Sequence, residues 1–307
     1  MVMPFIQEDQ SAKNNSRPLV IAHRGASGLA PENTLAAIKL ALALGADGVE
    51  MDAQLSADRR AVVIHDARVN RTTNGAGAVC NFTADELSRL DAGEWFVRRL
   101  STRPRARAMV NRAAQVCGDE FSFAREPVPT LEDALAFLAR GKPRRIYIEL
   151  KGRRENKTAL LENIIDLVRE FRLEDSATLL SFDHEIVKRA KESAPEIRTA
   201  ATFSIARGRS LTTRSIIRSL EESCADEAAL HFGLVTRRVV DALHERGLSV
   251  SAWTANSKFI MRRLAACGVD SIMTNFPNRL NDALASPRRF AFNRNGKNGA
   301  SKNWWSE

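Results

Sequence analysis

The chain alternates short runs of branched and apolar residues with amphipathic stretches, and this rhythm constrains its fold more than any other feature. Leu19–His23 reads as a buried strand. Pro31–Gly45 reads as a helix that Asn33 or Thr34 can cap, with apolar residues at Leu35, Ile38 and Leu42 and a terminating Gly45. Further strand-like runs lie at Gly48–Asp52, Ala61–His65, Arg145–Leu150, Thr178–Ser181, Ile197–Thr202, Ala228–His231, Ser249–Trp253 and Ser271–Thr274. Helical patterns at Leu131–Ala139, Thr158–Arg172, Ile186–Ser193, Thr236–Arg246 and Lys258–Cys267 fall between them. Strand–helix alternation of this kind makes a parallel sheet. Nine candidate strands in 307 residues point to a closed eight-stranded α/β barrel with one spare, not to an open doubly wound sheet. Nothing marks which run is the spare. Eight residues separate Asp52 from Ala61, too few for a helical crossover. If both runs are barrel strands, one crossover helix is missing and an extended return replaces it. No G-x-G-x-x-G follows the first strand, which counts against a dinucleotide fold.

The alternation occupies residues 18–285. Residues 1–17 read as a flexible N-terminus and 286–307 as a disordered basic tail ending in Trp304 and Trp305. Residues 66–125, rich in Gly, Asn and Arg, break the rhythm as a small insertion after the third strand. A loop there is expected to rise over the C-terminal face of a barrel, where active sites sit. Hydrophobic residues at 44% and charged residues at 27% are ordinary for a globular chain. There is no run of 18 apolar residues to span a membrane, and the first twenty residues hold no apolar core of a signal peptide. Cys80, Cys117, Cys224 and Cys267 fit neither a metal spacing nor a disulfide framework, so a cytoplasmic location is expected. The net charge of +9 invites a nucleic-acid partner, but its location argues otherwise. Six arginines between 98 and 112 and the tail after 286 hold the excess, and the rest of the chain is close to neutral. That distribution suits a solvated or phosphate-attracting loop, not a nucleic-acid face.

The strand ends carry the chemistry. His23 closes the first run (IAHRG), Glu50 and Asp52 the second (VEMD), His65 the third (VVIHD), and Glu149 and Lys151 the fourth (IELK). In a barrel all of these gather at one mouth. Glu50 and Asp52 are two apart on a strand and point the same way, so they repel unless something positive lies between them. With Glu149 they form an all-oxygen set suited to one hard divalent cation, Ca²⁺ or Mg²⁺. The competing arrangement is a salt-bridge network with Arg24 and Lys151. Arg24 suits bidentate contact with phosphate oxygens, Gly25 allows close backbone approach, and two histidines can serve as acid and base near neutrality. Together these make a phosphoryl-transfer site without a nucleotide loop.

In order, the strings HRGASGLAPENT, VEMD, VVIHDARVNRTTNGAG, LDAGEWF, PVPTLEDAL, IELK and WTAN resemble the glycerophosphodiester phosphodiesterases. The resemblance runs from about residue 19 to 284. It implies a TIM-type (β/α)8 barrel with a small subdomain after the H-D strand. It also implies divalent-cation-dependent hydrolysis of a small-molecule, glycerol-type phosphodiester to an alcohol and a phosphomonoester. On the matched positions, His23 and His65 correspond to the catalytic histidines, Glu50, Asp52 and Glu149 to the metal ligands, and Arg24 and Lys151 to the phosphate-contacting cations. The chain departs from the pattern twice. About thirty residues, including the arginine run, separate LDAGEWF from PVPTLEDAL, and Asn275 in MTNFP stands where the family usually has Asp. Both bear on the substrate. Barrel relatives act on sugar phosphodiesters of the opine (agrocinopine) type or, as phospholipase D-like lyases, release a cyclic phosphate. A non-enzymatic binder is the remaining alternative.

Three further residues are placed at the substrate pocket. Trp253 ends a strand in the mouth, where a pocket wall and plain core packing are equally good readings. Phe182 follows Ser181, and Glu32 either bonds within the mouth or serves a helix's acidic first turn. His184, His231 and His244 read as structural or surface residues. The oligomeric state is open.

Overall fold

A computed structural model describes residues 17–118, 123, 125–152, 154–205 and 211–285. The N-terminus and the tail with Trp304 and Trp305 lie outside the described residues. Nine strands form one sheet: β1 (Leu19–His23), β2 (Gly48–Leu55), β3 (Ala61–Val63), β4 (Arg145–Leu150), β5 (Ala177–Ser181), β6 (Arg198–Phe203), β7 (Glu227–His231), β8 (Ser249–Trp253) and β9 (Ser271–Thr274). Their order is β1-β9-β8-β7-β6-β5-β4-β2-β3, and β1 also pairs with β2, so eight parallel strands close into a barrel.

The spare strand is β3. It pairs antiparallel to β2, Ala53 opposite Val63 and Leu55 opposite Ala61. The short return after β2 is therefore a hairpin, which two antiparallel strands can share and two parallel ones cannot. This corrects the expectation of a missing crossover helix. The helices are α1 (Leu35–Ala43), α2 (Ala84–Ser88), α3 (Glu94–Ser101), α4 (Pro104–Ala114), α5 (Leu131–Gly141), α6 (Arg154–Glu170), α7 (His184–Ser193), α8 (Thr213–Ser223), α9 (Arg237–His244), α10 (Lys258–Cys267) and α11 (Pro277–Ala285). The crossover from β2 to β4 is made by α5, and every other barrel connection also carries a helix.

Residues 66–118 are not a bare loop. They hold α2, α3 and α4 besides short 3₁₀ turns. The expectation that the arginine run rises over the mouth is corrected too. Phe96, Val110 and Ala113 join the apolar cluster that contains Ala37, Ile38 and Leu40 of α1, and Gln115–Cys117 lies against α1. Burial of these apolar side chains holds α3 and α4 against the outer wall. Arg98, Arg99, Arg103, Arg105, Arg107 and Arg112 all face solvent.

Side chains alternate sides along each strand, and this sorts the residues. Val49, Met51, Ala53, Ile146 and Ile148 pack outward with the helices. Ile21, Tyr147, Leu180, Ala200, Ala229 and Met273 form a separate cluster inside the barrel. Below them is a buried polar layer: Tyr147 Oη donates to Glu227 Oε1 at 2.8 Å and lies 3.1 Å from Ser271 Oγ. Above them, at the C-terminal strand ends, the same inward parity delivers His23, Glu50, Asp52, Glu149, Lys151, Phe182, His231, Trp253 and Asn275 to one mouth. Burial pushes the Glu227 carboxyl up, and its bond from Tyr147 satisfies a group that cannot reach water. Tyr147→Phe should cost about 1–3 kcal/mol of stability, read as a lower denaturation midpoint with kcat/KM within about twofold of the parent. An unchanged midpoint would mean that Ser251 and the neighbouring arginines already satisfy Glu227.

Candidate active site

The loop after β1 turns sharply because Arg24 and Gly25 both adopt left-handed backbone (φ 55° and 72°). A Cβ on Gly25 would lie 2.6 Å from the Ala37 carbonyl carbon, so only glycine lets the turn pass this close to α1. The Arg24 N–H donates to Glu50 Oε2 at 2.9 Å, which ties the turn to β2. The PENT segment then caps α1. The Thr34 side chain accepts from the Ala37 N–H. Asn33, itself left-handed, donates from Nδ2 to Asp52 Oδ2 at 2.8 Å.

Glu50, Asp52 and Glu149 are all buried, and each offers a carboxylate oxygen within 4.8 Å of the other two. Burial, reinforced by the neighbouring Asp52 charge, pushes Glu50 up to about 8. Burial also raises Glu149 to about 7, with Lys151 opposing the shift. Asp52 stays below its usual range. Burial works against this, but Arg24 and Lys151 more than compensate. Glu50 Oε1 is buried with no hydrogen-bond partner. Asp52 Oδ1 is 3.2 Å from Lys151 Nζ, without hydrogen-bond alignment. Under-satisfied carboxylate oxygens converging from two strands fit a hard cation, and these three residues could hold a metal ion.

The salt-bridge arrangement is present as well. Arg24 Nε lies 3.1 Å from Asp52 Oδ2, and its Nη1 donates to Glu32 Oε1 at 2.8 Å. Lys151 Nζ lies 2.6 Å from Glu149 Oε1. Glu32 is thus bonded within the mouth and does not serve a helix's first turn. It also accepts two 2.8 Å bonds from Arg71, which reaches on to Asp66. Despite its burial, Glu32 is held below the usual range by Arg71 and Arg24.

Each histidine is anchored through Nδ1. His23 Nδ1 lies 2.8 Å from Asn275 Oδ1, and its Nε2 lies 3.9 Å from Glu50 Oε2. His65 is two residues beyond β3, with Nδ1 2.6 Å from Asp66 Oδ1. Burial lowers both imidazoles. Arg24 adds to the shift at His23, whereas the charge on Asp52 opposes it at His65. Asp66 is pulled to about 2, chiefly by its bonds from Arg71. Gln54, inward-facing on β2, donates from Nε2 toward the carbonyls of Ile64, His65 and Asp66, at 3.2, 2.9 and 2.6 Å. It holds the His65 loop to the barrel.

Across the mouth, Phe182 is 47% exposed and meets Trp253 edge-on at 5.5 Å, and Trp253 Nε1 donates to Ala229 O. His231 stands 5.4 Å from Trp253 at the same rim. His184 and His244 lie away from the cluster, bonded to Thr202 O and Asp270.

All of the sequence-derived site residues therefore sit at one barrel mouth. The family model for the glycerophosphoryl diester phosphodiesterase family matches residues 23–279. The chain belongs to that family. A glycerophosphodiester phosphodiesterase of Caldanaerobacter subterraneus subsp. tengcongensis is 32% identical over 268 residues, which is 86% of this chain and 96% of the relative. The Bacillus subtilis protein YhdW is 36% identical over 259 residues, covering 84% and 95%. Among solved structures, an Oleispira antarctica phosphodiesterase in complex with the product sn-glycerol-3-phosphate is 27% identical. It superposes with a TM-score of 0.74 over 88% of this chain and 98% of that one. The chain is accordingly a phosphoric diester hydrolase acting on glycerophosphodiesters.

Sequence reasoning did not single out Gln54, Asp66 or Arg71, nor the contacts of Asn33 and Asn275. Asp66, Arg71, Asn33 and Asn275 stand inside motif strings quoted above, so the signal was adjacent. Gln54 has none beyond its even spacing from Glu50 and Asp52. Its hold on the loop predicts that Gln54→Leu, close in size, lowers kcat by about 10²-fold through a displaced His65. Steady-state kinetics on a correctly folded variant will test this, and a fall of less than twofold would show that Asp66 and Arg71 suffice.

Proposed function

We propose that the enzyme cleaves glycerol-type phosphodiesters to an alcohol and sn-glycerol 3-phosphate through a cyclic phosphate, with His23 as base, His65 as acid and one divalent cation, Ca²⁺ or Mg²⁺. The observation that carries this reading is the unequal anchoring of the two histidines around the carboxylate triad. Asn275 Oδ1 can only accept, so the proton of neutral His23 sits on Nδ1 and Nε2 keeps its lone pair. An amide adds no charge, and the ring stays a neutral base. His65 is backed by a carboxylate that remains ionised, which opposes the lowering by burial and supports the imidazolium needed to protonate a leaving group.

In the first step His23 Nε2 takes the proton of the hydroxyl next to the ester. That oxygen bonds to phosphorus, the bond to the leaving oxygen breaks, and His65 Nε2 protonates the departing alcohol. In the second step water adds to phosphorus and loses its proton to His65, and His23 returns its proton to the ring oxygen that leaves. A neighbouring hydroxyl is already in place, so little association entropy is lost. Glu50, Asp52 and Glu149 would hold the cation, which would supply positive charge to offset the charge developing on the phosphoryl group. Arg24 and Lys151 add fixed positive charge beside the phosphate, and Trp253 and Phe182 wall the pocket. Glu32 orients Arg24. The four unpaired cysteines support a reducing, cytoplasmic setting. A sugar phosphodiester loses its main support, because the basic helices stand on the barrel's flank.

Excess EDTA should abolish turnover and added Ca²⁺ or Mg²⁺ should restore it. Full activity in EDTA, with no metal by elemental analysis, excludes the cation. His23→Ala and His65→Ala should each lose about 10²–10⁴-fold in rate. Phosphorus NMR should show a transient cyclic phosphate, and an analogue without the neighbouring hydroxyl should bind yet stay intact. Rapid cleavage of that analogue would point to direct attack by water.

A further inference from the structure

We infer that a cavity beside His65 receives the departing alcohol and favours an uncharged alcohol with an apolar body. This rests on the reaction proposed above. The cavity measures about 350 Å³ and lies between residues 67–80 and the start of α6. Leu55, Ala67, Ala78 and Leu160 give it apolar walls, and Cys80 and Asn156 complete it from opposite sides. His65 and Lys151 line it as well, so it is continuous with the cluster at the barrel mouth.

Geometry supplies the occupant. In phosphoryl transfer the attacking and leaving oxygens lie roughly in line on opposite sides of phosphorus. His23 is on β1 and is held by Asn275 just after β9. His65 follows β3, which pairs with β2 at Ala53–Leu55, farther along the strand than the Gly48–Glu50 span that pairs with β1. With His23 as base and His65 as acid, a hydroxyl that gives its proton to His23 faces a leaving oxygen at His65. Whatever that oxygen carries runs on past His65, where the cavity begins. Its volume is at the lower end of pockets that hold small organic ligands.

Chemistry supplies the preference. Among the described lining residues there is no carboxylate, and the imidazole of His65 is the one aromatic ring. Among these residues a quaternary ammonium group would find no anion and no ring face besides that of His65, and it would meet the Lys151 ammonium at the cavity's edge. Apolar carbon, in contrast, finds Leu55 and Leu160. Each methylene buried there is worth about fourfold in kcat/KM, from roughly 0.8 kcal/mol per CH₂.

The test uses the full chain and three glycerol 3-phosphoryl esters, of methanol, butanol and choline. The butyl ester should exceed the methyl ester in kcat/KM by at least tenfold, and the choline ester should fall below the butyl ester. Cys80→Trp and Asn156→Trp narrow the cavity from opposite sides at exposed positions that the core does not need. Each should cut the butyl-to-methyl ratio by tenfold or more. Equal rates on methyl and butyl esters, a choline ester faster than the butyl one, or an unchanged ratio in both variants would overturn the assignment and leave the reaction standing. No turnover of any of the three esters would overturn the proposed reaction itself, and this inference with it.

Discussion

The site depends on how buried negative charge is neutralised at the mouth of the barrel. Glu50, Asp52 and Glu149 lie within 4.8 Å of one another, in a place that water barely reaches. Left alone, such a group would protonate or force the strands apart. Instead charge alternates along a continuous path: Asp66, Arg71, Glu32, Arg24, Asp52, Lys151 and Glu149. Each member fixes the next, so the path acts as one scaffold. Its cations do not fully satisfy the carboxylates, since Glu50 Oε1 is left without a donor and Glu50 and Glu149 are pushed toward the neutral acid. That shortfall is what makes the triad receptive to a cation. The metal-site and salt-bridge alternatives posed by the sequence are thus not exclusive. The bridges leave Glu50 Oε1 without a donor, and the three carboxylates could still hold a cation.

Strand parity makes this scaffold possible. Because side chains alternate along every strand, the inward set of β2 runs Gly48, Glu50, Asp52, Gln54, and that of β4 runs Arg145, Tyr147, Glu149. Hydrogen bonding in register sets Asp52 beside Glu149, so two carboxylates meet because the sheet closes, not because either loop steers them there. The same parity places the Tyr147–Glu227 layer lower in the barrel. Polar groups therefore occupy both ends of the interior, with Ile21, Leu180 and Met273 between them. The apolar layer keeps the bottom network separate from the mouth.

How much was legible in the sequence follows from what is local and what is not. Alternation, inward parity and the strand-end residues are local, and the expected barrel and the convergence of the named side chains rest on them. The direction of β3 is not local. A three-residue strand carries no mark of whether it pairs parallel or antiparallel, and only the closed sheet, already complete with eight members, decides it. The helices α3 and α4 were hidden for another reason. Their arginine-rich faces read as a solvated loop, and the few side chains that dock them, Phe96, Val110 and Ala113, are spread over eighteen residues of sequence. Gln54 was invisible because its partners are backbone carbonyls, which no residue type announces.

Asn275 shows how one such departure shapes the chemistry. A carboxylate at this position would place a negative charge on Nδ1 of His23, raise its basicity and favour its charged form. The amide keeps the same contact and the same tautomer without that charge. Burial and the neighbouring Arg24 lower the basicity of the ring, which suits the base role proposed for it. At His65 the opposite choice is made, with Asp66 anchored by Arg71 so that it cannot give up its charge. Two identical side chains, each fixed through Nδ1, thereby sit in different electrostatic settings, in keeping with the different duties proposed for them. The alternating path that runs through the triad ends at Asp66, so the carboxylate behind His65 is held by the same chain of ion pairs that holds Asp52 and Glu149.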